Sequence, residues 1–164
     1  MKHVEKAVEY FDNNFNCSQS VFTTFATEMG IDEKLALRLG TNFGGGERKG
    51  EVCGAVAGAL MVLGLRCGHC DSEDLEGKSR AYGIAEEFMN RFISKNGSVI
   101  CRDLLGYDLT KAEDMKIIRD ENLFRTVCPK MVRCATEILD EMILGDGVRG
   151  SLSGRDPREC ELTK

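Results

Sequence analysis

The chain has 164 residues, 42% hydrophobic and 30% charged, with eight cysteines, two histidines and no tryptophan. That length predicts one domain with room for a real core. Its 22 basic and 27 acidic residues, a net charge of −5, argue against a nucleic-acid partner, which would call for a basic surplus.

Helical periodicity runs through almost the whole chain. Val4, Ala7, Val8 and Phe11 fall at i, i+3, i+4 and i+7, which predicts a first helix with one apolar stripe, broken by Asn13-Asn14. A second helix opens at Asn16, carries Val21, Phe22, Phe25, Ala26 and Met29 on one face, and stops at Gly30. Asp32 caps a third, with Leu35, Leu39 and Phe43 spaced by four as its apolar stripe. Residues 44–50 hold too much glycine for a helix and predict a loop. The run 52–65 has no polar face and reads as a buried central helix, whose Gly54, Ala55, Gly58 and Ala59 let neighbours come close.

After a polar loop around Gly68, a long helix spans 73–95 with Leu75, Tyr82, Ala85, Phe88, Met89 and Phe92 inward, ended by Asn96-Gly97. A short helix over 98–105 and a weaker one over 110–121 follow. The last, 129–144, puts Val132, Ala135, Leu139, Met142 and Ile143 on one side. Residues 145–164 have little to bury and predict a mobile tail. No segment alternates as a strand does, and no repeat is visible. The fold class is therefore all-α, a compact multi-helix bundle around the central helix, with one domain over 1–144.

The 52–65 run, at 14 residues, is shorter than the ~18 needed for membrane insertion. The start, Met1 to Lys6, is too charged for a signal peptide. A cytoplasmic protein is expected. In that reducing compartment eight cysteines read as thiols, metal ligands or redox groups sooner than as structural disulfides.

Four of them share a local setting. Asn16-Cys17-Ser18-Gln19 has the form of a capping box, which puts Cys17 in a first helical turn. Cys53 opens the central helix, Cys101 lies at N3 after Ser98, and Cys128 precedes Pro129 as an N-cap. Helix N-termini offer unpaired N–H groups and the positive end of the dipole, which favour thiolate over thiol. Arg48, Lys49, Arg102 and Lys130 stand beside three of these cysteines and add positive charge. The plainer reading of any one of them is a small buried hydrophobe. The four are 36, 48 and 27 residues apart, so no pair forms the short hook of a zinc ribbon or ferredoxin, and only tertiary structure can bring them together.

The strings Asn16-Cys17-Ser18-Gln19-Ser20-Val21, Phe43-Gly44-Gly45-Gly46, the stretch from Cys53-Gly54-Ala55-Val56-Ala57-Gly58 to Gly64, Cys101-Arg102-Asp103-Leu104-Leu105-Gly106 and Cys128 occur in this order. Over about residues 4–143 they resemble the small redox-active proteins named for a cysteine, a CGAxxG motif and two further cysteines. The chain also resembles the N-terminal, non-haem region of split-Soret cytochromes c, where the corresponding cysteines are associated with an iron–sulfur centre. The resemblance implies Cys17, Cys53, Cys101 and Cys128 as cluster ligands. The Cys-x-x-Cys-His haem attachment site is missing.

Cys67, Cys70, Cys134 and Cys160 fall outside this set. Cys67-Gly68-His69-Cys70 matches the dithiol string of disulfide isomerases, but it follows a helix C-terminus, where the dipole opposes a thiolate. Cys134 suits a packing role and Cys160 a free thiol in the tail. His3 is expected to be solvated. Gly44-Gly45-Gly46 lacks the Gly-Lys-Ser/Thr ending of a phosphate loop and reads as a turn allowing close backbone approach.

These readings converge on an iron–sulfur redox protein for electron transfer or redox sensing. Gly44, Gly45, Gly46 and Gly54 would bring backbone N–H groups to the cluster. Two alternatives stand beside it: a metal-free thiol–disulfide oxidoreductase and a structural zinc module. A redox partner protein is implied but its identity is not, and the small residues of the central helix would also suit a homodimer seam.

Overall fold

The computed structural model describes residues 2–144, so the expectations for the tail 145–164 and for Cys160 lie outside the described residues. The chain is all-α. Helices α1 (Lys2–Asp12), α2 (Cys17–Ala26) and α3 (Glu33–Gly40) lead through the loop at 41–53 to α4 (Gly54–Cys67). Then follow α5 (Leu75–Asn96), α6 (Cys101–Leu105), α7 (Ala112–Asp120), α8 (Leu123–Thr126) and α9 (Cys128–Leu144). Local signals set most of the boundaries. The Asn16 side chain accepts from the Gln19 N–H while the Gln19 side chain accepts from the Asn16 N–H, a complete capping box. Asp32 accepts from the Leu35 N–H, and Gly97, at φ 85°, ends α5.

The central helix α4 packs against α2, α5 and α9. It touches α2 through glycine: a Cβ at Gly58 would lie 2.7 Å from the Ser18 carbonyl oxygen, and one at Gly54 would lie 3.2 Å from the Ser18 N. The two glycines stand four residues apart on one face, so the backbones of α2 and α4 approach without an intervening side chain. Around this pair the core closes with Phe22, Phe25, Val56, Phe88, Phe92 and Leu139.

Two expected apolar faces are corrected. On α3, Leu35 and Leu39 are 47% and 50% exposed, while Ala36 and Gly40 are buried. A Cβ on Gly40 would sit 2.9 Å from the Gln19 Cα, so α3 docks on α2 by its smallest residues and turns its leucines out. On α5, Leu75 and Tyr82 are exposed, and the large buried side chains are Ile84, Phe88 and Phe92 further along. The buried face of α5 runs through Gly77, Ile84, Phe88 and Phe92, and Leu75 and Tyr82 fall off it.

His3 is also corrected. It is half-buried, with Nδ1 2.5 Å from the Asp140 carboxylate, Nε2 3.0 Å from that of Glu28, and its ring 4.5 Å from Phe25. It ties α1 to α9 and to the end of α2. The helix α6 starts at Cys101 and not at 98, because the Ser98 hydroxyl is engaged with the Ile100 N–H and with Asp103. Helix α8 has no forerunner in the sequence pattern and begins after Asn122 at φ 56°.

The glycine loop departs furthest from expectation. Gly45, Gly46, Glu47 and Arg48 have φ of 67°, 58°, 49° and 63°, a full left-handed turn. Left-handed backbone costs roughly 1–2 kcal/mol per non-glycine residue and is usually visited one residue at a time. Beyond the loop, Val52 and Ile100 form an isolated antiparallel bridge. No helix among the described residues is long and apolar enough to cross a membrane.

Candidate functional site

Four cysteines stand at four helix starts. Cys17, Cys101 and Cys128 are the first residues of α2, α6 and α9, and Cys53 is the N-cap of α4. Each is positioned by a local device. The capping box sets Cys17. The Val52–Ile100 bridge sets two more: Cys53 N–H donates to the Val99 carbonyl at 2.7 Å and Cys101 N–H to the Glu51 carbonyl at 2.6 Å. The Arg102–Glu51 ion pair, at 2.8 Å, braces the same crossing. Cys128 follows α8, and Pro129 takes the next place in α9, where its missing N–H costs nothing.

These four thiols are buried, and all four line one cavity of about 300 Å³. Segments that are remote in sequence therefore converge. Gly44 and Gly45 also line it, whereas Gly46 and Gly54 are absent from the lining. A Cβ on Gly46 would strike the Glu51 N at 2.4 Å, and Gly54 accommodates Phe43 and Cys17. Both serve backbone packing around the cavity.

Burial changes the expected acidity. Cys17 lies well above the ordinary thiol value because it donates a hydrogen bond to Cys128, is fully enclosed, and faces three other sulfurs. Burial pushes Cys53 up to about 11, although the Ala55 and Val56 N–H groups at the start of α4 pull the other way. Burial, then the neighbouring sulfurs, take Cys101 to about 12, with Arg48 opposing. Only Cys128 is lowered, by the hydrogen bond it accepts from Cys17. Enclosure thus outweighs what the helix starts offer, and Cys128 is lowered through Cys17 and not through its helix.

The donor set is all thiol, buried, and supplied with backbone N–H donors, which suits soft metals and iron–sulfur clusters. Among the described residues no group of three or more His, Cys, Asp or Glu stands in the arrangement of an ion site. Loading would require the thiols to give up protons first.

The other cysteines lie elsewhere. Cys67, the last residue of α4, is a free thiol donating to the Leu63 carbonyl at 2.9 Å, and burial raises it. His69 beside it is exposed. The Cys134 sulfur accepts from the Asn96 amide at 3.1 Å in the α5–α9 contact, a packing position.

Sequence reasoning missed the cavity's polar rim. Asn14, Arg48 and Arg125 are exposed residues lining its mouth. Arg48 was legible as a basic neighbour of Cys53, but the left-handed turn brings its charge to bear on Cys101. Arg125 lies 72 residues beyond Cys53 and carries no local mark.

No curated protein and no solved structure matches the chain. The family model described as "Putative redox-active protein (C_GCAxxG_C_C)" matches residues 15–142. That span covers the capping box, the glycine loop, the Cys53-Gly54-Ala55-Val56-Ala57-Gly58 helix start and both later cysteines, and on it the chain belongs to the C_GCAxxG_C_C family of redox-active proteins.

Proposed function

We propose that this protein binds an iron–sulfur cluster through Cys17, Cys53, Cys101 and Cys128 and serves in one-electron transfer or redox sensing in the cytoplasm. One observation carries the reading: four thiols from four distant helix starts line a single cavity. A bound cluster would supply a one-electron couple. The chain's own part is to enclose the sulfurs, to set Cys53 beside the N–H groups at the start of α4, and to offset negative charge with Arg48. All-thiol sites also hold zinc, so metal analysis belongs to the test.

Protein purified without oxygen is expected to be brown, with visible absorption and stoichiometric iron and sulfide. Cys53→Ser and Cys101→Ser should each lose most of that iron, whereas Cys134→Ser should keep it. Colourless, iron-free protein after anaerobic reconstitution would falsify the reading. Retained zinc at about one per chain, with no redox response, would replace it by the structural module.

A second reading, metal-free thiol–disulfide exchange, is favoured by the hydrogen bond from Cys17 to Cys128. It predicts that Cys17→Ser and Cys128→Ser abolish exchange equally in iron-free protein.

A further inference from the structure

The rim of the cysteine cavity carries charge that the sulfur site alone does not call for. Its lining includes two guanidinium groups, Arg48 and Arg125, and no carboxylate, in a chain with 27 acidic residues against 22 basic. Such a one-signed patch at a concave mouth concentrates anions.

Arg48 forms no ion pair among the described residues, neither with its chain neighbour Glu47 nor with Glu51, which Arg102 engages. The left-handed turn at 45–48 folds it back over the loop. A Cβ on Gly45 would lie 3.1 Å from the Arg48 Nη1, which places the guanidinium back against the turn. Arg125 has its own support: it donates to the Asn14 side-chain oxygen at 2.6 Å and lies over the Phe11 ring at 5.9 Å. A neutral amide and an aromatic face hold it without cancelling its charge. Below this exposed rim the walls are apolar, with Leu104, Leu105, Phe124 and Met131, and the four buried thiols lie deeper. The volume, about 300 Å³, is that of a small-ligand site.

We propose that the rim is a binding subsite for a small monocarboxylate with a short apolar body, its carboxylate held by Arg48 and Arg125 and its apolar end against Leu104, Phe124 and Met131. Planar guanidinium forks match a carboxylate, and the apolar walls disfavour a fully hydrated oxyanion such as phosphate. The subsite uses none of the sulfurs as a binding group.

The test is butyrate binding to the full-length protein as purified, measured by calorimetry, with butyramide as the neutral isostere and inorganic phosphate as the hydrated anion. Iron content is measured on the same samples, which separates this result from the fate of the cluster reading. Butyrate is expected to bind at one per chain, at least tenfold tighter than butyramide and tighter than phosphate. Arg48→Gln and Arg125→Gln should each weaken it about tenfold or more, with Arg48→Lys recovering part of the loss. Equal affinity for butyrate and butyramide, or affinity unchanged in both variants, overturns the subsite. Tighter binding of phosphate overturns the carboxylate assignment.

Placement is read by alkylation of metal-stripped protein. Iodoacetate and iodoacetamide both react as a thiolate forms a C–S bond and iodide leaves, so their rate ratio is independent of how much thiolate is present. That ratio should be several-fold higher at the cavity cysteines than at Cys134, and butyrate should lower it. The same ratio at both places overturns the location.

Discussion

Gly54 and Gly58 explain why a glycine pair follows Cys53 at this spacing. The cysteine ends the approach to α4, and the two glycines let that helix lie against α2, where Cys17 starts; a Cβ on Gly54 would be 3.2 Å from the Cys17 Cβ. Gly58→Ala is therefore expected to destabilise by about 1–3 kcal/mol, since the new methyl meets the Ser18 carbonyl oxygen and α2 must shift. Gly64→Ala, on the same helix but with open space around it, should instead gain up to about 1 kcal/mol from helix propensity. Urea denaturation of the two variants checks the opposite signs. The run of small residues in 54–59 was legible in the sequence as a close approach. Which helix approached was not, because that depends on residues 36 positions earlier.

At the scale of elements, helix starts and stops were legible where a side chain caps its own backbone, as Asn16, Asp32 and Gly97 do. Helix faces were less so. The Leu35–Leu39 stripe has the right period, yet Ala36 and Gly40 have the same period and a closer fit to α2. The left-handed turn left no trace beyond its glycines, because glutamate and arginine carry no preference for positive φ. Its strain can be measured. Glu47→Gly should raise stability, by up to about 1 kcal/mol, by relieving the left-handed residue at φ 49°. Gly46→Ala should lower it well beyond that, since it adds both a left-handed alanine and a clash with the Glu51 backbone at 2.4 Å. Thermal denaturation of both distinguishes a strained turn from a merely open loop.

Across the whole molecule, His3 joins the start of the described chain to α9 and to the end of α2. Burial alone would lower its pKa, but the hydrogen bonds to Glu28 and Asp140 outweigh burial and leave it raised above 6.5. A histidine raised on folding contributes fully below its unfolded value of 6.5 and loses that contribution as pH climbs through the folded value. Glu28 is lowered by the hydrogen bond from His3, so in acid the contribution falls away as that carboxylate protonates below about 4.5. The stability difference between the parent and His3→Gln should therefore be greatest between about pH 4.5 and 6.5 and shrink as pH rises above that, which denaturation at a series of pH values reads directly.

The four sulfurs show the same limit of sequence reading at this scale: each helix start was visible in its own few residues, while their meeting is a property of the finished packing. Their scattered origin has a consequence for timing. The last of them stands at residue 128 of 164, so a growing chain cannot present the complete set until α1 to α8 have all been synthesised. No fragment short of that point offers more than three, and no short segment offers two. A group that joined all four could not do so before that point, and once seated would close loops of 36, 48 and 27 residues together, tethering the unfolded chain as a set of cross-links would.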